Sequence, residues 1–178
     1  MTPPSQTSFF GRMLGAARLD SEIYEEIEAD AGAFSQALAV VALSSISAGV
    51  GATGRLNVYD AVSGLGGGML GWAIWAGLAY LIGGRLLATP GTRSNWGELL
   101  RTTGFATAPG ILSILGVVPA FTGFIAFLTS VWILAGFVVA VRQALDYLST
   151  WRAVAVCLAG WLAYAGILWV LVSYRVGG

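Results

Sequence analysis

The chain has 178 residues, of which 57% are hydrophobic and only 10% are charged, and its formal net charge is zero. Soluble domains carry about 25% charged residues, and a single soluble core could not bury this much apolar surface, so the composition indicates an integral membrane protein. Arginine supplies all nine basic residues and is balanced by nine acidic ones, which excludes a nucleic-acid-binding surface from the expected functions.

Residues 1–32 form a predicted amphipathic and acidic cytoplasmic segment ahead of the apolar runs. Phe9–Leu19 has apolar residues at helical spacing and predicts a short helix in the membrane interface. Asp20–Asp30 carries six acidic residues, which would repel anionic headgroups. We therefore expect it to dock a protein partner or the chain's own arginine-bearing loops; the alternative is a solvated helix face. The docking candidates are Glu22, Ile23, Glu25, Glu26 and Ile27.

Residues 33–178 contain five apolar runs and form the predicted transmembrane domain. A spanning helix needs about 20 mostly apolar residues, and these continuous runs lack the alternation of a transmembrane strand. The sequence therefore predicts an all-α polytopic membrane protein with five transmembrane helices, at Ala33–Ala52, Val62–Leu87, Thr103–Pro119, Phe124–Val141 and Ala153–Tyr174.

The arginines predict an orientation. In the five-helix topology, seven of them lie on the side of the N-terminus and two on the other side, and basic residues favour the cytoplasmic face. The N-terminus is thus predicted to be cytoplasmic. The all-arginine, Ala- and Gly-rich composition favours a bacterial cytoplasmic membrane. The seven are Arg12, Arg18, Arg85, Arg93, Arg101, Arg142 and Arg152; the two are Arg55 and Arg175.

Small residues recur four apart in the second and fifth runs. Such spacing makes a flat groove that another helix can approach closely. The partner is either a helix of the same bundle or another subunit, which would include a homo-oligomer. The packing candidates are Gly64, Gly67, Gly68, Gly71, Gly77, Ala155 and Ala159.

The third run keeps Pro109 in its middle, where it removes one backbone hydrogen bond. Neighbouring helices or hydroxyl side chains such as Thr103 and Thr107 can satisfy the freed carbonyl. We expect a kinked, tightly packed helix, with Gly104, Phe105 and Pro109 at the kink. The kink is either purely structural or moves during transport.

The same stretch resembles a known family. Gly104-Phe105-x-x-x-Pro109 is similar to the Gly-Tyr-x-x-x-Pro pattern in the third membrane helix of the YIP (Ypt-interacting, Yip-one-domain) family. In this chain, the segment ARLDSEIYEEIEADAGAFSQALAVV resembles the amphipathic lead-in and first span of the family's bacterial members. The resemblance implies a five-helix membrane protein with a cytoplasmic N-terminus. Eukaryotic relatives interact with Rab-type GTPases, but their Asp-Leu-Tyr-Gly-Pro motif is absent here, so Rab binding is not carried over.

Residues that could carry chemistry are scarce. The chain has no His and a single Cys157 in the fifth run, which is typical of a small buried hydrophobe. We predict no catalytic residue, no metal site, no cofactor and no enzymatic activity.

The predicted function is that of a YIP-type membrane scaffold or membrane-organising protein. One alternative is an accessory subunit of a larger membrane complex, and another is a small transporter or channel. The absence of mid-membrane charges disfavours the transporter. The expected partners are membrane lipids and other membrane-protein subunits.

Overall fold

The computed structural model describes residues 7–88, 92 and 95–176, and the regular elements of that part are all helices, with no strand. The all-α prediction is confirmed. A π-helical turn, Ile82–Leu86, extends α4, and a 3-10 helix, Ala108–Val117, follows α5. The α-helices are α1 (Phe9–Ala17), α2 (Ser21–Ala29), α3 (Ala33–Thr53), α4 (Val58–Leu81), α5 (Trp96–Ala106), α6 (Thr122–Ala144) and α7 (Thr150–Val176).

Side-chain caps define where several helices begin. The side chain of Asp20 accepts a hydrogen bond from the Glu22 amide at 3.0 Å at the start of α2. Asn57 does the same for α4 and Asn95 for α5. These oxygens satisfy amides that have no partner within the helix. The helix starts are therefore encoded locally.

A tight reversal joins α1 and α2 into a helical hairpin. Leu19 has a positive φ of 62°. Its amide donates to the Ala16 carbonyl at 3.0 Å, and the Asp20 amide donates to the Gly15 carbonyl at 3.1 Å. This is the hydrogen-bond pattern of a Schellman motif, which ends a helix and turns the chain. We call residues 9–29 the N-terminal hairpin.

Three helices of the described part are long and apolar enough to cross a membrane: Ala33–Thr53, Val58–Leu86 and Thr122–Ala144. At 1.5 Å per residue, the shortest of them is roughly 30 Å long, which matches a bilayer core. The prediction of five continuous spans is not confirmed. Part of the predicted fifth span, Ala153–Tyr174, falls on side chains outside the described residues.

The predicted third span, Thr103–Pro119, is wrong as a single helix. Pro109 has no N–H to donate to the Phe105 carbonyl, so α5 ends at Ala106 and a 3-10 helix follows. Thr107 supplies hydrogen-bond donors at the C-terminus of α5. Its amide and its hydroxyl both donate to the Gly104 carbonyl, at 3.2 and 2.7 Å. The predicted kink is thus a change of helix type.

The α3 helix lies at the centre of the fold and packs at backbone distance on two neighbours. Gly49 faces Gly64 of α4, and Gly51 faces the 3-10 helix. A methyl group on Gly51 would overlap the carbonyl oxygen of Ser113. Any side chain larger than hydrogen would therefore overlap the backbone of the neighbouring helix at these crossings.

The N-terminal hairpin shares its core with the membrane body. One cluster joins Tyr24 and Ile27 of α2 to Ala37 of α3 and Phe105 of α5, all with no exposed surface. A second cluster joins α4, α6 and α7 around Leu145 and Val156. The predicted boundary at residue 32 therefore does not coincide with a gap in the packing.

The α3 crossing makes a stability prediction. We expect Gly51→Ala to lower the free energy of unfolding by about 1–3 kcal/mol, because the methyl group must displace the backbone of the 3-10 helix. Thermal unfolding in detergent measures the change. Gly66→Ala is the matched control, since nothing lies within 4 Å of its added methyl and alanine gains helix propensity. Equal melting temperatures for the two variants would contradict the crossing.

Candidate functional site: the docked hairpin and the intramembrane cleft

The N-terminal hairpin docks on α5 and α6. The indole of Trp132 on α6 donates to the Ala17 carbonyl at 2.7 Å. Near the other end of the hairpin, the side-chain amide of Gln143 donates to Glu25 at 2.8 Å. Tyr24 is fully buried between these points and donates to the Ala16 carbonyl. The acidic segment therefore folds back onto its own chain.

A buried ion-pair group holds the two helices of the hairpin together. Arg12 is only 1% exposed and contacts Glu26 at 2.9 Å and Asp30 at 2.7 Å. It also donates to Gln36 in the first turn of α3 at 3.2 Å. Thr7 completes the group by donating its hydroxyl to Glu26 at 2.6 Å. The guanidinium thus joins α1, α2 and α3.

The pKa values of the acidic partners are shifted by these contacts. Burial alone would raise the pKa of Glu26, but hydrogen bonds from Thr7 and Arg12 outweigh burial and lower it. The hydrogen bond from Arg12 lowers the pKa of Asp30. Both carboxylates therefore remain ionised well below neutral pH.

A second arginine ties the hairpin to the membrane body. The guanidinium of Arg101 on α5 donates to the carbonyl oxygens of Ile27, at 3.3 Å, and Glu28. These carbonyls end α2, where the helix dipole is negative and no amide of the helix is available. The cation therefore satisfies the C-terminus of α2 from a neighbouring helix.

An acidic cavity of about 590 Å³ opens beside the hairpin. Four carboxylates and one cation line it: Glu25, Glu28, Glu98, Asp146 and Arg142. The pKa of Glu28 rises to about 7, first through burial and then through repulsion from Glu98, Asp146 and Glu25, against the attraction of Arg101. Among the described residues, no group has the ligands to hold a metal ion. The cavity instead suits a basic side chain.

A second, larger cleft lies inside the membrane body. It measures about 660 Å³ and runs between α3, α4, α6 and α7. Four of the predicted glycines line it, and its walls include Trp72, Trp75 and Phe137. Trp75 and Phe137 stack with ring centroids 4.2 Å apart. The glycines are Gly64, Gly67, Gly68 and Gly71.

The predicted packing residues have different surroundings. Gly64 and Gly68 face α3, Gly71 faces Tyr164 of α7, and an atom added to Gly67 would meet only open space. Gly77 faces the ring of Trp96 on α5.

In α7, the buried face consists of Ala153, Val156, Cys157 and Gly160. Ala155 is exposed and Ala159 is half-buried. A helix contact at Ala155 would therefore involve another molecule.

The predicted kink residues lie under the hairpin. Phe105 is fully buried and meets Phe9 of α1 edge to face, with ring centroids 6.3 Å apart. Gly104 lies against Ala37 of α3, and Pro109 opens the 3-10 helix. The YIP-like motif therefore contacts α1 as well as α3.

The predicted docking residues divide into contact and solvent positions. Ile27 is fully buried, Ile23 packs against Gly15, and Glu26 binds Arg12. Glu25 is exposed but bonded to Gln143, and Glu22 is exposed.

Sequence reasoning missed three residues that position this site: Arg12, Asp30 and Trp132. The sequence shows them as flanking charges and as one of seven tryptophans, and no spacing rule links Trp132 to Ala17, which lies 115 positions earlier. Arg101 had a signal, because it precedes the predicted third run by two residues and is one of the arginines expected on the same side as the acidic segment.

A family comparison matches residues 20–172 to the Yip1 domain model. The chain belongs to the Yip1 domain family. The match begins at the cap of α2 and ends in α7, so it contains Arg101 and leaves α1 outside. No curated protein and no solved structure matches the chain. With three apolar helices of spanning length, this member of the Yip1 family is an integral membrane protein.

We expect Arg12→Gln to loosen the hairpin. Removing one partner of a buried ion pair typically costs about 3–5 kcal/mol, because the remaining charges stay buried. Hydrogen exchange of the α1 and α2 amides in the detergent-solubilised protein measures the loss. Arg18→Gln is the matched control, since Arg18 carries the same charge on the same hairpin but is exposed. Equal protection in both variants would show that the ion pairs do not hold the hairpin.

The raised pKa of Glu28 makes hairpin docking depend on pH. The docked state favours the neutral carboxyl of Glu28. Its contribution to the stability of docking is therefore complete below the ordinary Glu pKa of 4.5 and is lost as pH rises through about 7. Exchange protection of α2, corrected for intrinsic rates, should therefore fall between pH 5 and pH 8. The ion pairs of Arg12 behave in the opposite way, because the pKa values of Glu26 and Asp30 are lowered: their contribution is complete above the ordinary values of 4.5 and 3.8 and is lost as pH falls through the lowered ones.

Glu28→Gln should remove the decrease between pH 5 and pH 8, because glutamine stays neutral. Glu22→Gln should retain it. A wild-type profile that is flat across this range would contradict the role of Glu28.

Proposed function

We propose that this Yip1 family protein is a non-enzymatic membrane scaffold that binds a basic segment of a partner protein in the acidic cavity. The observation that carries the proposal is the cavity itself, where Glu25, Glu28, Glu98 and Asp146 outnumber Arg142. A fixed cluster of like charge attracts an oppositely charged segment and repels anionic headgroups.

Docking of the hairpin supports this role, because it holds the cavity in one shape. Glu25 and Glu28 come from α2, whereas Glu98 and Asp146 come from α5 and the α6–α7 turn. Arg101 and Gln143 join these elements. A scaffold needs such a preorganised surface, since a site ordered before binding loses less entropy on association.

Photo-crosslinking in native membranes tests the proposal. A photoreactive residue at Leu148, which lines the cavity and is 99% exposed, should capture a partner with a basic juxtamembrane segment. Glu98→Gln combined with Asp146→Asn should reduce capture by roughly tenfold, most strongly at low ionic strength. Glu22→Gln is the control, since Glu22 does not line the cavity. Equal capture by the double variant and the control would contradict the proposal.

The alternative function is that of an accessory subunit in a larger membrane complex. The exposed Ala155 and Leu162 of α7 favour it, because they lie seven residues apart on one helix face that has no partner of its own among the described side chains. Copurification at a fixed stoichiometry would distinguish a subunit from a scaffold with exchanging partners. A small transporter remains the second alternative, with the cleft between α3, α4, α6 and α7 as its candidate path.

We infer that the hairpin end of the bundle faces the cytoplasm of a bacterium. Arg12, Arg101 and Arg142 all lie at this end, and basic residues favour the cytoplasmic side. A membrane-impermeant thiol reagent should therefore label Tyr59→Cys in intact cells, because Tyr59 is exposed in the first turn of α4, at the end of the bundle opposite the hairpin. Glu22→Cys should be labelled only after permeabilisation, and the reverse result would contradict this orientation.

A further inference from the structure

A smaller chamber adjoins the intramembrane cleft. The chamber measures about 240 Å³ and lies between α3, the 3-10 helix and α6. The two cavities share Ser44 and Ala48 of α3 and Ser130 and Ile133 of α6. They therefore lie side by side along α3 and α6, the larger one apolar and aromatic and the smaller one rich in hydroxyl groups.

No charged side chain lines either cavity among the described residues. The walls come from α3, α4 and α6, the three helices long and apolar enough to span a bilayer. The medium around these helices is hydrocarbon, so the molecule available to the larger part is an acyl chain. Its volume of about 660 Å³ lies within the range of roughly 300–1,000 Å³ found for small-molecule sites.

The hydroxyls of the chamber select the polar end of the ligand. Thr129 donates to the Ile125 carbonyl at 2.8 Å, so the 3.2 Å contact between Ser113 and Thr129 has Ser113 as its donor. Ser130 donates to the Ala126 carbonyl at 2.7 Å, and Thr122 donates to the Gly116 carbonyl at 2.6 Å. With these protons committed, the four oxygens still accept, whereas Ser44, which lines both cavities, keeps a hydroxyl that can donate as well. The chamber therefore complements a neutral hydroxyl group, which both donates and accepts, and its described lining holds no cation for a phosphate.

We propose that the cleft and chamber bind one neutral lipid, with its acyl chain in the cleft and a free hydroxyl of its headgroup in the chamber. This site is separate from the acidic cavity and does not depend on the scaffold function. A monoacylglycerol has the required chemistry, because it combines one chain with an uncharged headgroup that donates hydrogen bonds.

Two adjacent glycines of α4 provide a matched test. Gly67 lines the cleft and Gly66 does not, and an atom added to either meets nothing within 4 Å. Leucine at Gly67 therefore fills the cleft, whereas leucine at Gly66 adds the same bulk and helix propensity elsewhere. The Cβ atom of neither leucine meets a neighbouring atom, so we expect both variants to fold, and size-exclusion chromatography and thermal unfolding verify this.

The experiment measures equilibrium binding of radiolabelled 1-monooleoylglycerol to the delipidated full chain in detergent. We expect saturable binding of one molecule per chain, at least tenfold weaker binding by Gly67→Leu, and binding within twofold of wild type by Gly66→Leu. Methyl oleate, which lacks a hydroxyl, and anionic lysophosphatidylglycerol should each compete at least tenfold less well than unlabelled 1-monooleoylglycerol.

Thr129→Val tests the chamber on its own, because valine keeps the shape of threonine and removes its oxygen. It should weaken binding of 1-monooleoylglycerol by roughly tenfold and leave the weaker binding of methyl oleate unchanged. Absence of saturable binding, or equal binding by the Gly66 and Gly67 variants, would overturn the proposal. A dimer that dissociates on Gly67→Leu would also overturn it, because the cleft would then hold a second copy of the chain.

Discussion

Close backbone packing around α3 is the constraint on which the rest of the structure depends. Gly49 and Gly51 lie within two residues of each other and bring α4 to one side of the helix and the 3-10 helix to another. In a lipid environment, helices gain little from the hydrophobic effect, so close contact must supply the association energy. A methyl group at Gly51 would push away the backbone segment that carries the chamber hydroxyl of Ser113.

The break at Pro109 supplies the second half of this arrangement. An unbroken α-helix would satisfy its own backbone and present side chains all round, whereas the 3-10 helix is thinner and can lie against α3 at Gly116. Before its start, the Thr107 hydroxyl donates to the Gly104 carbonyl of α5 at 2.7 Å, and near its end the Gly116 carbonyl accepts from the Thr122 hydroxyl at 2.6 Å. Non-helical or irregular backbone at membrane depth is tolerated where protein covers it. The chamber beside this segment follows from the same break.

Charge is concentrated at the opposite end of the fold and organises the N-terminal hairpin. Arg12 joins the helices of the hairpin to each other, and Arg101 joins α2 to α5 through backbone carbonyls. The two arginines act differently, since one neutralises carboxylates and the other binds uncharged oxygens. As a result Glu26 and Asp30 are compensated, whereas Glu25, Glu28, Glu98 and Asp146 retain a negative field around the acidic cavity. The proposed scaffold site therefore combines two carboxylates of the acidic segment, Glu25 and Glu28, with Glu98 and Asp146 of the membrane body.

The sequence by itself determined the helical class, the membrane environment and the interruption at Pro109. Each of these follows from composition or from a missing N–H. Only the tertiary structure decided that the third run is two helices of different type, that α7 buries Cys157 rather than Ala155, and that Arg12 and Arg101 fix the hairpin. A helix that is apolar all round carries no periodic mark of its buried face, and ion pairs between distant residues depend on how helices pack. The spacing of the α4 glycines likewise predicted a groove. Only the crossing of α3 and α4 decided which of these glycines contact α3 and which line the open cleft.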